Sequence, residues 1–346
     1  MRKIIIVILA LVLVTTLAVG IAINVPASQN LLLGRIMATM MAATPNQFEG
    51  MRAIVCGSAS PLGNDPDRAQ ACIAIVTPEH LFLFDIGGGS PRRLQEAGLP
   101  LNRLDAVFLT HFHSDHIAGL PEVNLNSRVL GRTGHLQVIG PKGAGKVVAG
   151  FNLAYQLDTD YRIAHHGIDL LPRDGAEMQA QEIETGVIWQ DDLVKVTAFA
   201  VDHTPISPAV GYRIDYRGRS VVISGDTIAV DSLFTAASNA DLLFHDALSP
   251  SIMRIFIDGA KNAGRPRLAA IFGDVTDYHA DITKLEAMSE AAGIEQLVLY
   301  HMVPVPGNRL IENMFERDIG SNTLLAKDLM IFDLPTGSSD IVVSEL

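Results

Sequence analysis

Positive charge is scarce in this chain. Its 346 residues carry 26 Lys and Arg against 38 Asp and Glu, a net charge of -12. Polyanion binding usually draws on a clustered Lys/Arg surface, so this balance argues against a general nucleic-acid binder. A local basic groove stays compatible with it. Cysteine is nearly absent, with only Cys56 and Cys72. These form either one disulfide, as two cysteines of an exported protein can, or two buried free thiols. Fixed-period repeats are missing, which excludes a solenoid. Low-complexity tracts are missing too, and no Pro/Ser-rich linker divides the body. The apolar fraction of 48% and aromatic fraction of 6% fit an ordinary globular body plus one apolar segment.

What the chain has in excess is a single uncharged run. Arg2 and Lys3 precede residues 4–23, which carry no charge. At about 1.5 Å per residue this run spans about 30 Å, one hydrocarbon thickness. The positive flank favours an N-terminus inside and a translocated remainder. The run reads as an uncleaved anchor, while Ala18-Val19-Gly20 also offers a small-x-small site for removal as a signal peptide. The expected location is therefore membrane-anchored or secreted, with the body on the periplasmic or extracytoplasmic side. Residues 1–24 form the anchor or signal and 25–49 a connecting segment. Within the latter, the apolar stretch 31–41 either lies along the membrane surface or packs on the body. Residues 50–346 form one domain, since about 300 residues suffice for a large α/β body.

Along that body the patterning predicts strands at 52–56, 72–76, 81–84, 106–109, 136–139, 194–200, 210–214, 220–223, 242–244, 297–300 and 331–334. Residues 57–64 are turn-rich. Helices are predicted at 91–97, 145–157, 232–237 and 282–292. Hairpins at the start of each half, then strands separated by helices, suit an α/β fold of two mixed sheets packed face to face with helices outside.

The densest chemistry is Thr110-His111-Phe112-His113-Ser114-Asp115-His116, after an apolar strand and before Ile117-Ala118-Gly119-Leu120. Imidazoles and a carboxylate are costly to bury without partners, and together they are the N/O donor set that zinc prefers. A strand end turning into a helix start aims His111 and His113 to one side and Asp115 and His116 to the other. That arrangement serves two metals. Further candidates follow other apolar strands: His203 after 194–200, Asp226 after Val221-Val222-Ile223, and His301 after 297–300. Loops at strand ends are where scaffolds carry function.

In this order, the 111–116 motif with His203, Asp226 and His301 resembles the metallo-β-lactamase superfamily. Within it the chain is most similar to the ribonuclease Z-like branch, which also contains exported arylsulfatases. The branch-level features are Gly57-Ser58-Ala59-Ser60-Pro61, Gly211-Tyr212-Arg213-Ile214, His245-Asp246, and His279 ahead of a helix. The resemblance covers residues 50–335. It implies a four-layer αββα sandwich with a dimetal site at one edge between the sheets, and it places Cys56 and Cys72 on neighbouring strands. It also implies that His111, His113 and His203 hold one metal, that Asp115, His116 and His301 hold the other, and that Asp226 bridges them. Asp85 would orient a ligand histidine. The cofactors implied are two divalent ions, zinc first, with manganese or iron suited to the same set. Two such ions share a water, lower its pKa towards about 7 to give a hydroxide nucleophile, and stabilise charge on a phosphoryl or sulfuryl oxygen. Asp115 could accept the water's proton. His279, oriented by Asp246, suits protonation of the leaving group, and His245 could instead position that loop.

The chain departs from the ribonuclease Z pattern in this relay. Asp246 stands where the branch usually has glutamate, Ala280 stands where a hydroxyl residue follows the histidine, and a long segment, 247–278, intervenes. The segment 155–166 could close over the site and present Tyr161, Arg162 or His166 to an anion, but the polar face of a helix is the preferred reading. Phosphoester or phosphodiester hydrolysis is the activity implied. Sulfate-ester hydrolysis of the arylsulfatase type is the alternative, and a non-catalytic metal-binding scaffold is the reading from another class. The expected partners are a small anionic ester and, through the N-terminal segment, a membrane; a homodimer is left open. Transfer RNA is not expected. Ribonuclease Z binds its RNA with a basic, glycine-rich arm, whereas residues 141–190 here have a charge balance of -3, and export separates the protein from tRNA.

Overall fold

The computed structural model describes residues 2–42, 48–63 and 65–346. Residues 43–47 of the connecting segment and Asn64 of the turn-rich stretch lie outside the described residues. The chain divides into two compact units, Met1–Gln47 and Phe48–Leu346. The described part of the first consists of the helices Arg2–Asn24 and Pro26–Ala42. Its stretch Ile4–Asn24 is long and apolar enough to cross a membrane, by length and composition.

In the second unit the chain lays down one sheet, then another, and returns to the first. Strands β1 (Gly50–Gly57), β2 (Cys72–Val76), β3 (Leu81–Phe84), β4 (Leu104–Phe108), β5 (Leu136–Pro141) and β6 (Met178–Ile183) open the first sheet. Strands β7 (Gly186–Gln190), β8 (Val194–Ala200), β9 (Val210–Tyr216), β10 (Arg219–Ile223), β11 (Leu242–Leu248), β12 (Gln296–Val303) and β13 (Thr323–Leu325) build the second. Strands β14 (Met330–Pro335) and β15 (Val342–Glu345) rejoin the first. The strand orders are β15-β14-β1-β2-β3-β4-β5-β6 and β13-β12-β11-β10-β9-β8-β7. Short turns give the antiparallel pairs β2–β3 and β9–β10, while β1 pairs antiparallel with β2 across the longer loop 58–71. Helical crossovers give parallel β4–β5 and β11–β12, as parallel neighbours need long connections.

Alternation along each strand makes the layers. Ala53 and Val55 of β1 face Phe244 and Tyr300 of the second sheet in the central core, with Phe82, Phe84, Phe108 and Tyr212. Ile54 and Cys56 point the other way, into a layer with Leu94, Leu120, Val123 and Val148 from helices. The outer face of the second sheet, Val222, Leu243, Leu297 and Leu299, is covered by Leu233, Ile252, Leu285 and Phe315 from helices. With both faces covered, successive residues of a strand are apolar, and each fully buried large side chain is worth about 1.5–3 kcal/mol. The result is the four-layer αββα sandwich. Cys56 and Cys72 are joined by a disulfide across β1 and β2, Cα atoms 4.9 Å apart.

The structure corrects several expected elements. The helix expected at 145–157 breaks at Tyr155 into Ala144–Ala154 and Gln156–His166. The strand expected at 242–244 runs on to Leu248, because β12 continues to pair with it. The insertion 247–278 holds the helices Pro250–Asn262 and Pro266–Asp274. The first of these begins at Ser249, whose Oγ accepts the Ile252 amide, with Pro250 as its first residue, a helix start of known preference.

Candidate metal centre

The site lies at one edge of the sandwich, just beyond β4, β8 and β10 and within the last residues of β12. Beyond β4 the chain bends at Thr110, and His113, itself extended, opens the short helix Ser114–Ile117. The stretch before the helix carries His111 and His113, and the first helical turn carries Asp115 and His116. His203 follows β8 through Val201 and Asp202. Asp226 follows β10 across Gly225, whose φ of 63° is left-handed and whose Cβ would meet that of Thr110 at 2.8 Å. A side chain is excluded there on both counts. His301 sits inside β12 at a register shift, Asp246 pairing with Tyr300 and Ala247 with Met302, so that His301 is left over. Such a bulge re-aims a side chain, and the φ of 45° at His301 is the local strain that goes with it.

These elements bring all seven expected ligands together. They form two groups around Asp226. Its Oδ2 is 3.7 Å from His111 Nε2 and 3.8 Å from His203 Nε2, and His203 Nε2 is 3.5 Å from His113 Nδ1. Its Oδ1 is 3.3 Å from His116 Nε2 and 3.4 Å from His301 Nδ1, and Asp115 Oδ2 is 2.9 Å from His301 Nε2. All are buried except half-buried His113. Around these groups the Nδ1 atoms of His111, His116 and His203 are held, that of His111 by the Thr110 hydroxyl at 3.1 Å. Asp85, itself at a φ of 55°, accepts from Thr110 and from His116 Nδ1, the latter at 2.8 Å. The Tyr278 carbonyl accepts from His203 Nδ1 at 2.9 Å.

The electrostatics differ between the groups. Burial, then neighbouring imidazoles, push His111 well below its ordinary pKa. Burial also lowers His113 and His203 against the pull of Asp226. Neutral imidazoles, the ligand form, result. On the other side, Asp226 with Asp85 and Asp115 outweighs burial and raises His116 well above the usual range. His301 is raised for the same reason by Asp226 and Asp115. Asp115 is lowered to about 2, burial notwithstanding, by His116 and His301. Three carboxylates in one buried place demand positive charge.

Of the proposed proton relay, His279 and Asp246 do meet, His279 Nδ1 lying 2.8 Å from Asp246 Oδ2. The His279 ring lies 5.4 Å from those of both His203 and His301. His245 stacks on Phe234, with its Nδ1 on the Asp246 carbonyl at 2.8 Å and 3.1 Å from Asp246 Oδ1, on the side of that carboxylate away from His279 Nδ1, which is at Oδ2. The helix Gln156–His166 takes no part in the cavity at the cluster: Arg162 pairs with Asp158 on its own helix at 2.7 Å, and Tyr161 is exposed. Sequence reasoning gave Thr110 no role of its own, and it missed the Tyr278 carbonyl and the apolar residues Ile271, Val275 and Val303 that line the cavity. The proximity of Tyr278 to His279 was the one available signal.

Strand-end histidines and aspartates gathered between two sheets under helices define a protein of the metallo-β-lactamase fold. The beta-lactamase superfamily domain model matches residues 82–302. Ribonuclease Z of Mycobacterium bovis (strain BCG / Pasteur 1173P2) is 35% identical over 254 residues, covering 72% of this chain and 85% of that protein. Ribonuclease Z of Mycolicibacterium gilvum (strain PYR-GCK) is 32% identical over 273 residues, covering 76% and 90%. Among solved structures, the metallo-beta-lactamase fold protein YhfI from Bacillus subtilis aligns with a TM-score of 0.60 at 18% identity, over 83% of this chain and 100% of that one. The short form of human tRNase Z aligns with a TM-score of 0.56 at 20% identity, over 82% and 99%. This chain belongs to the metallo-β-lactamase superfamily, in its ribonuclease Z-like branch.

The family's fold implies divalent metal, and the donor set fits it. His111 Nε2, His116 Nε2, His301 Nδ1 and Asp226 Oδ1 are buried without a hydrogen-bond partner. Orphaned buried polar atoms are rare and costly, and here they converge on one place, as ligand lone pairs do.

Proposed function

We propose that this protein is a dimetal hydrolase of phosphoesters, most simply phosphodiesters, using zinc, with manganese or iron as chemically suitable replacements. The observation that carries the reading is the division of Asp226, one carboxylate oxygen turned to His111 and His203 and the other to His116 and His301. A bridging ligand between two cations needs that division. In this reading His111, His113 and His203 hold one ion, Asp115, His116 and His301 the second, and Asp226 both. When bound, the ions supply Lewis acidity, bringing the pKa of a water towards about 7 and stabilising charge on a tetrahedral oxyanion.

The chain's own residues do the rest. Water oxygen forms the new bond to phosphorus, and the bond to the leaving oxygen breaks. One water proton passes to the Asp115 carboxylate. His279, its Nδ1 held by Asp246, keeps Nε2 for a proton that goes to the leaving oxygen. Asp246 reaches His279 in spite of being one methylene shorter than glutamate. The ribonuclease Z relatives support RNA chemistry, whereas the net charge of -12 favours a smaller ester, and a smaller ester is the substrate we favour. The helix Arg2–Asn24 is read as a membrane anchor with the body outside the cytoplasm.

Metal content measured together with turnover of bis-p-nitrophenyl phosphate and p-nitrophenyl sulfate tests the reading. Faster phosphodiester turnover is expected. Faster sulfate turnover would favour the arylsulfatase alternative, and metal without turnover of either would favour a scaffold.

A further inference from the structure

The cavity above the cluster has a volume of about 380 Å³. Beyond the cluster its walls are chiefly Pro61, Leu62, Ile271, Val275, Tyr278 and Val303. Among the described residues, no lysine or arginine lines it. Three of the six come from the insertion. The helices Pro250–Asn262 and Pro266–Asp274 hold each other through Phe256 and Phe272, ring centroids 5.8 Å apart. They are fastened down by a small separate core, in which Leu248, Met253 and Val303 pack with Leu62, Phe272 and Val275. Leu62, Val275 and Val303 therefore both fix the hood and form the cavity wall. The loop opposite is fixed as well, Ser60 Oγ donating to the Met302 carbonyl at 2.7 Å. The apolar wall is part of a packed structure and stands beside His279, whose ring lies 4.8 Å from that of Tyr278.

We propose that the helical hood makes this a site for esters with an uncharged, apolar leaving group, an aryl or branched alkyl group, and that Ile271 and Val275 are its specificity-determining residues. The proposal rests on the hydrolase reading above and names its substrate class. A polynucleotide would bring the phosphates flanking the reacting one against Ile271 and Val275, where no cation answers them; an unpaired charge against apolar surface is costly, and backbone phosphates are ordinarily held by Lys and Arg. An apolar cavity of about 150 Å³ suffices for benzene, so the volume here admits an aromatic ring with its tetrahedral group, and it lies in the range of about 300–1,000 Å³ usual for small-molecule sites. The leaving oxygen next to His279 would then carry its apolar part into the hood.

The test is calorimetric binding of phenylphosphonate and methylphosphonate to the full, zinc-loaded chain. Phenylphosphonate is expected to bind about tenfold tighter or better, the gain from burying one ring. Ile271→Ser and, separately, Val275→Thr, which keeps the branched shape that the hood packs on, are expected to cut that preference to about threefold or less, with metal content and methylphosphonate affinity unchanged. Ile271 is partly exposed, so its replacement does not threaten folding. A preference near one in the unaltered protein, no binding of either phosphonate, or a preference that survives both substitutions would overturn the assignment. A protein that keeps the phenyl preference yet hydrolyses no ester would count against the hydrolase reading alone.

Discussion

The side chains at the centre are held by others outside the donor set. Asp85 receives His116 Nδ1 and both donors of Thr110, which leaves His116 Nε2 free to face Asp226. Asp85→Ala is expected to weaken metal binding about 10- to 100-fold, the usual cost of losing such support, with the fold retained; a metal titration followed by circular dichroism measures both. His279→Ala is expected to lower kcat about 10²- to 10⁴-fold, the range for a positioned acid, with metal content unchanged. If metal falls in step with activity, His279 is a ligand rather than a proton donor. At this scale the sequence was informative wherever a side chain declares its chemistry. Imidazoles after apolar strands pointed to the cluster. The Tyr278 carbonyl that holds His203 could not be read this way, because a backbone oxygen has no residue signature. Ile271 and Val275 were equally silent, being ordinary apolar residues on an insertion without a motif.

Strands and helices were legible in proportion to their burial. Strands β1 to β4 and β10, buried on both faces along most of their length, show largely as apolar runs, whereas β8 and β9 show as alternation, buried apolar residues taking turns with Lys195, Thr197, Arg213 and Asp215. Strands β6 and β7 close one edge of each sheet, and four residues of β6 are exposed; an exposed edge carries polar residues and so lacks the pattern that would announce a strand. Strand β12 was read as ending before His301, since a histidine looks like the start of a loop. Parallel pairing with β11 continues past it, and the bulge is what turns His301 towards Asp226. The disulfide acts on this scale too, tying β1 to β2 across 16 residues of sequence. For a loop of that length, removing the cross-link is expected to cost about 3 kcal/mol. Cys56→Ser with Cys72→Ser should therefore unfold at markedly lower denaturant concentration while binding the same metal; an unchanged midpoint would show that the cross-link contributes nothing.

Over the whole molecule, the layered architecture follows from alternation and chain length, and the central core lies entirely within Phe48–Leu346. A chain beginning at Phe48 is expected to fold with its metal content intact and to stay in solution with phosphatidylcholine vesicles, whereas the full chain sediments with them. Sedimentation of the shortened chain would place membrane affinity in the body instead of the helix Arg2–Asn24. The central claim remains the dinuclear cluster around Asp226, and its most direct test is the number of divalent ions per chain, counted by inductively coupled plasma mass spectrometry after loading and desalting, for the unaltered protein and for Asp226→Asn. Two ions per chain, falling to one or none in the variant, is the predicted result. A single ion, or two that persist when Asp226 has lost a ligand oxygen, would contradict the account.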